Sequence, residues 1–228
     1  MSARFARSAA AAAAITVIGV LSGCGSSGPS GSVSAGQVMS ALHTNVRQAH
    51  SVHMTGSVTQ DGQKITVDLS FDNSNVFGTI SENGASFYLL SLNGTTYIKL
   101  DSSFLKFAKA PASACALICG RYLELPASSA SQITGQLSMA SLADKPFSST
   151  IAAKADQSGS VFVPATVDGQ QVLQFRQGAY ALDVTSNGTR YPVLFTGPHG
   201  ESVAFSEWNS VTLPPPPPAS EVVNISKL

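Results

Sequence analysis

Residues 61 to 100 read DGQKITVDLSFDNSNVFGTISENGASFYLLSLNGTTYIKL, and the punctuation of that stretch decides the fold. Three pairs, Asp61-Gly62, Asn83-Gly84 and Asn93-Gly94, fall between runs rich in β-branched and aromatic residues. A two-residue hairpin turn puts both of its central residues at positive φ, which Gly accepts freely and Asn or Asp tolerates, so each pair predicts a tight turn. Ile65, Val67, Leu69 and Phe71 alternate with polar residues, the period of a strand with one dry and one wet face. Further along, Asp168-Gly169 and Asn187-Gly188 repeat the turn chemistry. The alternation also returns, in Tyr180, Leu182, Val184 and again in Tyr191, Val193, Phe195. The expectation is antiparallel sheet on both sides of a central break.

Two regions depart from that period. From Ser34 to Ala49 the apolar positions Ala35, Val38, Met39, Leu42, Val46 and Ala49 recur every three or four residues, and Ser34 with Gln37 has the form of a capping box. This predicts an amphipathic first helix. From about Ala112 to Ala143 there are no turn pairs, and Ile133, Leu137 and Ala140 form one stripe behind a second capping box, Ser129 with Gln132. The order is then a helix, about five strands, a helical insertion and four or five strands. Helices that must bury an apolar stripe cover one face of such a sheet most economically. The expected class is α+β: a curved antiparallel sheet, or half-barrel, with helices packed over its concave face.

The N-terminus predicts the compartment. Residues 1–23 carry Arg4 and Arg7, no acid, and an apolar run from Ala9 to Leu21, the pattern of a signal peptide. That run is shorter than the roughly 20 residues a spanning helix needs. Leu21-Ser22-Gly23-Cys24 resembles a bacterial lipobox, which implies cleavage before Cys24 and lipidation of its thiol; an ordinary secretory signal with an incidental cysteine is the other reading. Two acyl chains anchor stably where one does not. Residues 24–33 contain mostly Gly and Ser and predict a flexible tether, with one folded domain over 34–228. The expected location is the extracytoplasmic face of the cell membrane, held by lipid. In a bacterial export, the acceptor-like triplets at Asn93 and Asn187 read as turns and not as glycosylation sites.

Charge narrows the partners. Without residues 1–23 the chain has 205 residues, with 11 basic and 13 acidic side chains and no basic stripe. Nucleic-acid binding draws on clustered Lys and Arg, so a nucleic-acid partner is not expected. Sparse charge favours apolar recognition.

With the helix and strand order in place, four segments resemble actinobacterial LolA-like lipoproteins of the LppX/LprG type. They are Val52 to Val58 after the first helix, Asn93-Gly94-Thr95-Thr96-Tyr97-Ile98, Gly120-Arg121-Tyr122-Leu123-Glu124-Leu125-Pro126 before a helix, and Phe205-Ser206-Glu207-Trp208-Asn209 before a proline run. The resemblance covers about residues 34 to 225. It implies a half-barrel over helices, with an apolar cavity for the acyl chains of lipids or lipoglycans. The candidate walls are Val38, Leu42, Val46, Ile65, Val67, Leu69, Phe71, Phe87, Leu89, Ile133 and Leu137; the same faces serve equally as a closed core. Two functions stay open: a carrier of acylated lipids, or an anchored module that binds or senses another envelope protein.

The remaining reactive residues suggest little chemistry. Cys115 and Cys119 are the cysteines other than Cys24, and outside the cytoplasm two nearby thiols usually oxidise, which predicts a disulfide where a helix ends at Gly120. Redox or metal work would want Cys-x-x-Cys or nearby His, and neither is present. His50 and His53 would face opposite sides of a strand, and His43 and His199 stand alone, so no metal and no cofactor is expected. No nucleophile elbow, zinc-protease helix or phosphate loop occurs, and an enzyme is not expected. Pro214 to Pro218 reads as a stiff spacer, or else as a docking ligand.

Overall fold

A computed structural model describes residues 31–224, apart from 61, 110, 136, 145–156 and 187. The expected leader, Cys24 and most of the tether lie outside the described residues, as do Asp61 and Asn187. The chain enters through β1 (Val33–Ser34) and α1 (Ala35–Gln48). Five strands follow: β2 (Ser51–Gln60), β3 (Gln63–Asp72), β4 (Asn75–Glu82), β5 (Ala85–Leu92) and β6 (Thr95–Leu100). The middle holds α2 (Ser102–Phe107), α3 (Ala112–Ile118), β7 (Tyr122–Glu124), α4 (Ala127–Thr134) and α5 (Met139–Asp144). A second meander comprises β8 (Val161–Val167), β9 (Gln170–Gln177), β10 (Tyr180–Thr185), β11 (Pro192–Thr196) and β12 (Ser202–Ser206), and β13 (Val222–Asn224) ends the described chain.

These strands form one open sheet, β1-β8-β9-β10-β11-β12-β2-β3-β4-β5-β6-β7-β13. Every pair is antiparallel except β13 with β7. Each meander is built by local turns, and Asn83, Asn93 and Asp168 do sit at φ near 50° with Gly behind them at about 80°. The two halves join where β12 pairs with β2, Ser206 opposite His53.

One face is dry because α1 lies on it. Val38, Leu42 and Val46 are fully buried against Val52, Leu69, Phe71, Val76, Leu89, Val184 and Phe205, residues drawn from both meanders. One apolar cluster can gather side chains from strands so far apart in the sheet only if the sheet bends around it, so this face is the concave one. Each such buried Leu or Val stabilises by about 1.5–3 kcal/mol. The bend has a local cause. Gly56 and Gly78 lie inside strands at φ +147° and +138°. A methyl at Gly56 would land on the Ser202 carbonyl oxygen, and one at Gly78 on that of Asp68. Without a Cβ, adjacent strands approach and coil more sharply there.

Several local expectations need correction. Ser34 occupies the N-cap position but its side chain makes no cap bond; the Ala35 N–H donates instead to the Ser160 carbonyl, at 2.8 Å, because β1 is paired with β8. Ser129 lies inside α4, which starts two residues earlier behind Pro126. The helical insertion begins at Ser102 and contains β7, which the absence of turn pairs concealed. β10 and β11 are joined by a six-residue loop and not a two-residue turn. Val33 already belongs to the sheet and packs on the core.

The last described segment crosses the outer face. Asn209 and Val211 N–H groups donate to the carbonyl and hydroxyl oxygens of Ser51, at 2.9 and 3.2 Å, and β13 then pairs beyond β7. Residues 207–221 in extended polyproline form reach about 46 Å, enough for the roughly 34 Å across seven strand spacings. Val211, Pro214 and Pro217 are half-buried while the residues between them are exposed, the three-residue period of that helix. Leu90, which points away from α1, is also buried.

Candidate functional site

The register places the candidate site along one line. Phe175, Leu182, Phe195, Val203, Gly56, Val67, Ile80, Phe87 and Leu100 are successive partners across nine strands. The row beside it runs Phe205, Met54, Leu69, Gly78, Leu89, Ile98, Leu123 and Val223. Neither row holds a titratable side chain, so the two rows form a continuous apolar strip; Glu82, the partner of Ile65, stands above it on the same face.

Burial divides the concave face into two zones. Below, toward the turns after β3 and β5, Val52, Phe71, Val76 and Leu89 are closed over by α1 and α5. Asp144 at the end of α5 accepts from Arg47 at 3.0 Å and lies 3.8 Å from His43, tying the two helices together. Above, Val58, Ile65, Val67, Ile80, Phe87, Ile98, Phe175 and Phe195 are half-buried, interspersed with the buried Leu182, Val203 and Leu100. Ile133, Leu137 and Leu142 from the helical insertion are half-buried too and pack on the same cluster.

The candidate walls therefore separate. Val38, Leu42, Val46, Leu69, Phe71 and Leu89 are fully buried in the core. Ile65, Val67, Phe87, Ile133 and Leu137 lie in the half-covered zone. Met54, Val58, Ile80, Ile98, Phe175 and Phe195 belong with them and were not among the candidate walls read from the sequence, although Phe195 was part of an alternating run. Alternation alone could have found Ile80 and Phe87 as one pair; adding Phe175 and Phe195 to that row requires the long-range register.

Other clusters are polar and lie elsewhere. On the outer face Ser206 Oγ is 3.4 Å from His53 Nδ1, and His53 Nε2 is 2.8 Å from Asp68 Oδ1. These are the residue types of a nucleophilic triad, but the Asp68 side chain is 68% exposed and the line stands on an open sheet surface. A hydrolytic site needs a buried orienting acid and oxyanion donors, and this line offers neither. Gln174 donates to the buried Asp183 at 2.6 Å and accepts from Arg176 at 2.6 Å. Tyr122 packs edge-on to Tyr88 and Tyr97 with Lys99 over its ring; burial, and then the neighbouring Tyr122, push the Tyr88 hydroxyl above its usual range. Cys115 and Cys119 are joined by a disulfide. Among the described residues no group of His, Cys, Asp and Glu could hold a metal, and no helix is long and apolar enough to cross a membrane.

No protein-family model matches the chain, and neither does any curated protein. Among solved structures it is similar to LprF from Mycobacterium bovis, at 15% identity and a TM-score of 0.47, over 80% of this chain and 96% of that one. A chain of the Pseudomonas aeruginosa MucA/MucB complex aligns at 12% identity and 0.30, over 80% of this chain and 59% of its own. MucB in complex with periplasmic MucA aligns at 11% and 0.27, over 78% and 55%. The chain thus spans a little over half the length of those two.

Proposed function

We propose that this is a lipid-anchored, extracytoplasmic protein of the LppX/LprG type that holds the acyl chains of a lipid or lipoglycan against the upper concave face. The observation that carries the reading is the pair of uncharged rows, closed by α1 at one end and left half-covered by short helices at the other. Each methylene buried there contributes about 0.8 kcal/mol, so an acyl chain binds by length and volume while its headgroup stays at the rim. The leader pattern of residues 1–23 and Cys24 supports delivery to a membrane, where such chains are found.

The test is purification of the full chain from its native membrane, lipid extraction and mass spectrometry. Acylated molecules at near-stoichiometric amounts are expected. Repeated recovery of an empty domain that captures a protein of the envelope instead would replace the carrier reading with a binding or sensing one. Cys24→Ala is expected to move the protein from the membrane fraction to the medium; retention in the membrane would remove the anchor from the proposal.

A further inference from the structure

The helical insertion presents apolar side chains that the core does not use. Phe107, at the end of α2, is 50% exposed and Leu117, in α3, is 69% exposed, the two most exposed large apolar side chains at helical positions among the described residues. Their backs are firmly seated. Phe104 meets Phe87 edge-on at 5.8 Å, and Leu105 is buried with Leu100 and Leu123 in a cluster that also takes in Ile118 and both disulfide cysteines. The Gly120 N–H donates to the Leu100 carbonyl at 3.1 Å, fastening the end of α3 to the last member of the apolar row. Phe87 and Ile98 belong to both this cluster and the main core, so the hairpin adjoins the half-covered zone directly.

Its charge is one-sided. Between Asp101 and Glu124 the chain carries Lys106, Lys109 and Arg121 and no acid, although acids and bases balance over the whole sequence. Both lysines are exposed, and among the described residues neither is ion-paired. An exposed Phe107 flanked in sequence by unpaired Lys106 and Lys109, with an exposed Leu117 on the neighbouring helix, is the composition that settles at the boundary of headgroups and acyl chains on an anionic bilayer. We infer that the α2–α3 hairpin docks on an anionic phospholipid surface, placing the end of the apolar row against the membrane from which a chain would enter. The entering cargo rests on the function proposed above; the docking itself rests on Phe107, Leu117 and the lysines.

The experiment uses the full chain reconstituted through its own N-terminus into vesicles of bromine-labelled phosphatidylcholine with or without phosphatidylglycerol. Phe107→Trp and Leu117→Trp report depth over the baseline of the one native tryptophan, Trp208, and Ser74→Trp, in the turn at the opposite end of the strands, is the control. Trp at 107 and 117 is expected to shift blue and be quenched by bromine only when phosphatidylglycerol is present, while Trp at 74 is not. Lys106→Gln with Lys109→Gln should weaken docking by about thirty-fold and leave the circular dichroism spectrum unchanged. Unquenched emission at 107 and 117 overturns the inference, and so does quenching indifferent to phosphatidylglycerol and to the lysine changes, the result expected if the patch served a protein partner. Lipid extraction of the same samples separates the two ideas: quenching without bound cargo removes the carrier and keeps the docking, and cargo without quenching does the reverse.

Discussion

Gly78→Ala tests the origin of the bend. Gly78 sits at φ +138° between Leu69 and Leu89, a backbone region that costs a residue with a Cβ about 1–3 kcal/mol. The new methyl would also fall on the Asp68 carbonyl oxygen and 2.9 Å from Leu69 Cα. Both are backbone atoms of β3, so no side chain can swing away, and overpacking of this kind adds about 1–3 kcal/mol. The total is a large share of the roughly 5–15 kcal/mol that holds a domain together. Gly84→Ala provides the control. Gly84 also has positive φ, but nothing lies within 4 Å of its Cβ position, so only the left-handed penalty of about 1–2 kcal/mol applies. Urea unfolding of both variants measures the difference. Gly78→Ala should lose at least about 1 kcal/mol more than Gly84→Ala; equal losses would show that close strand approach at Gly78 does not shape the sheet.

Three further outcomes follow from the same geometry. Ile80→Glu, in the half-covered zone, should keep the fold and cut bound acyl lipid at least about ten-fold, the worth of about two buried methylenes, whereas Leu89→Glu in the closed zone should unfold the protein; extracted-lipid mass spectrometry beside circular dichroism distinguishes them. The Asp101 carboxyl, hydrogen-bonded by the Ser103 hydroxyl and then by the Phe104 N–H, is held below its usual range. Its folded value is therefore lower than its unfolded one, so the cap stabilises α2 above the unfolded carboxylate range and fades as pH falls through the folded value. Asp101→Ala should cost about 1 kcal/mol and abolish that pH dependence in amide exchange of α2. Removing the disulfide by Cys115→Ser with Cys119→Ser opens a five-residue loop worth about 2 kcal/mol; the loss should appear as faster exchange in α3, with β2 to β5 protected as before.

The sequence by itself determined the local geometry. Asn83-Gly84, Asn93-Gly94 and Asp168-Gly169 form turns because positive φ is a property of those residues, and Ile65 to Phe71 alternate because a strand has period two. The α1 stripe of Val38, Leu42 and Val46 was legible for the same reason, since 3.6-residue spacing puts all three on one side. What needed the tertiary structure was everything set by partners distant in the chain. Ser34 lost its capping role to a pairing with β8, and Tyr122–Glu124 became a strand because β6 and β13 were there to receive it. Likewise Val38 and Val67 are equally apolar in the sequence, yet one lies sealed beneath the helix and the other half-open. Hydrophobicity dictates that a side chain seeks cover; only the path of the chain decides how much cover it receives, and that difference is what makes part of this sheet a core and leaves the rest as a candidate site.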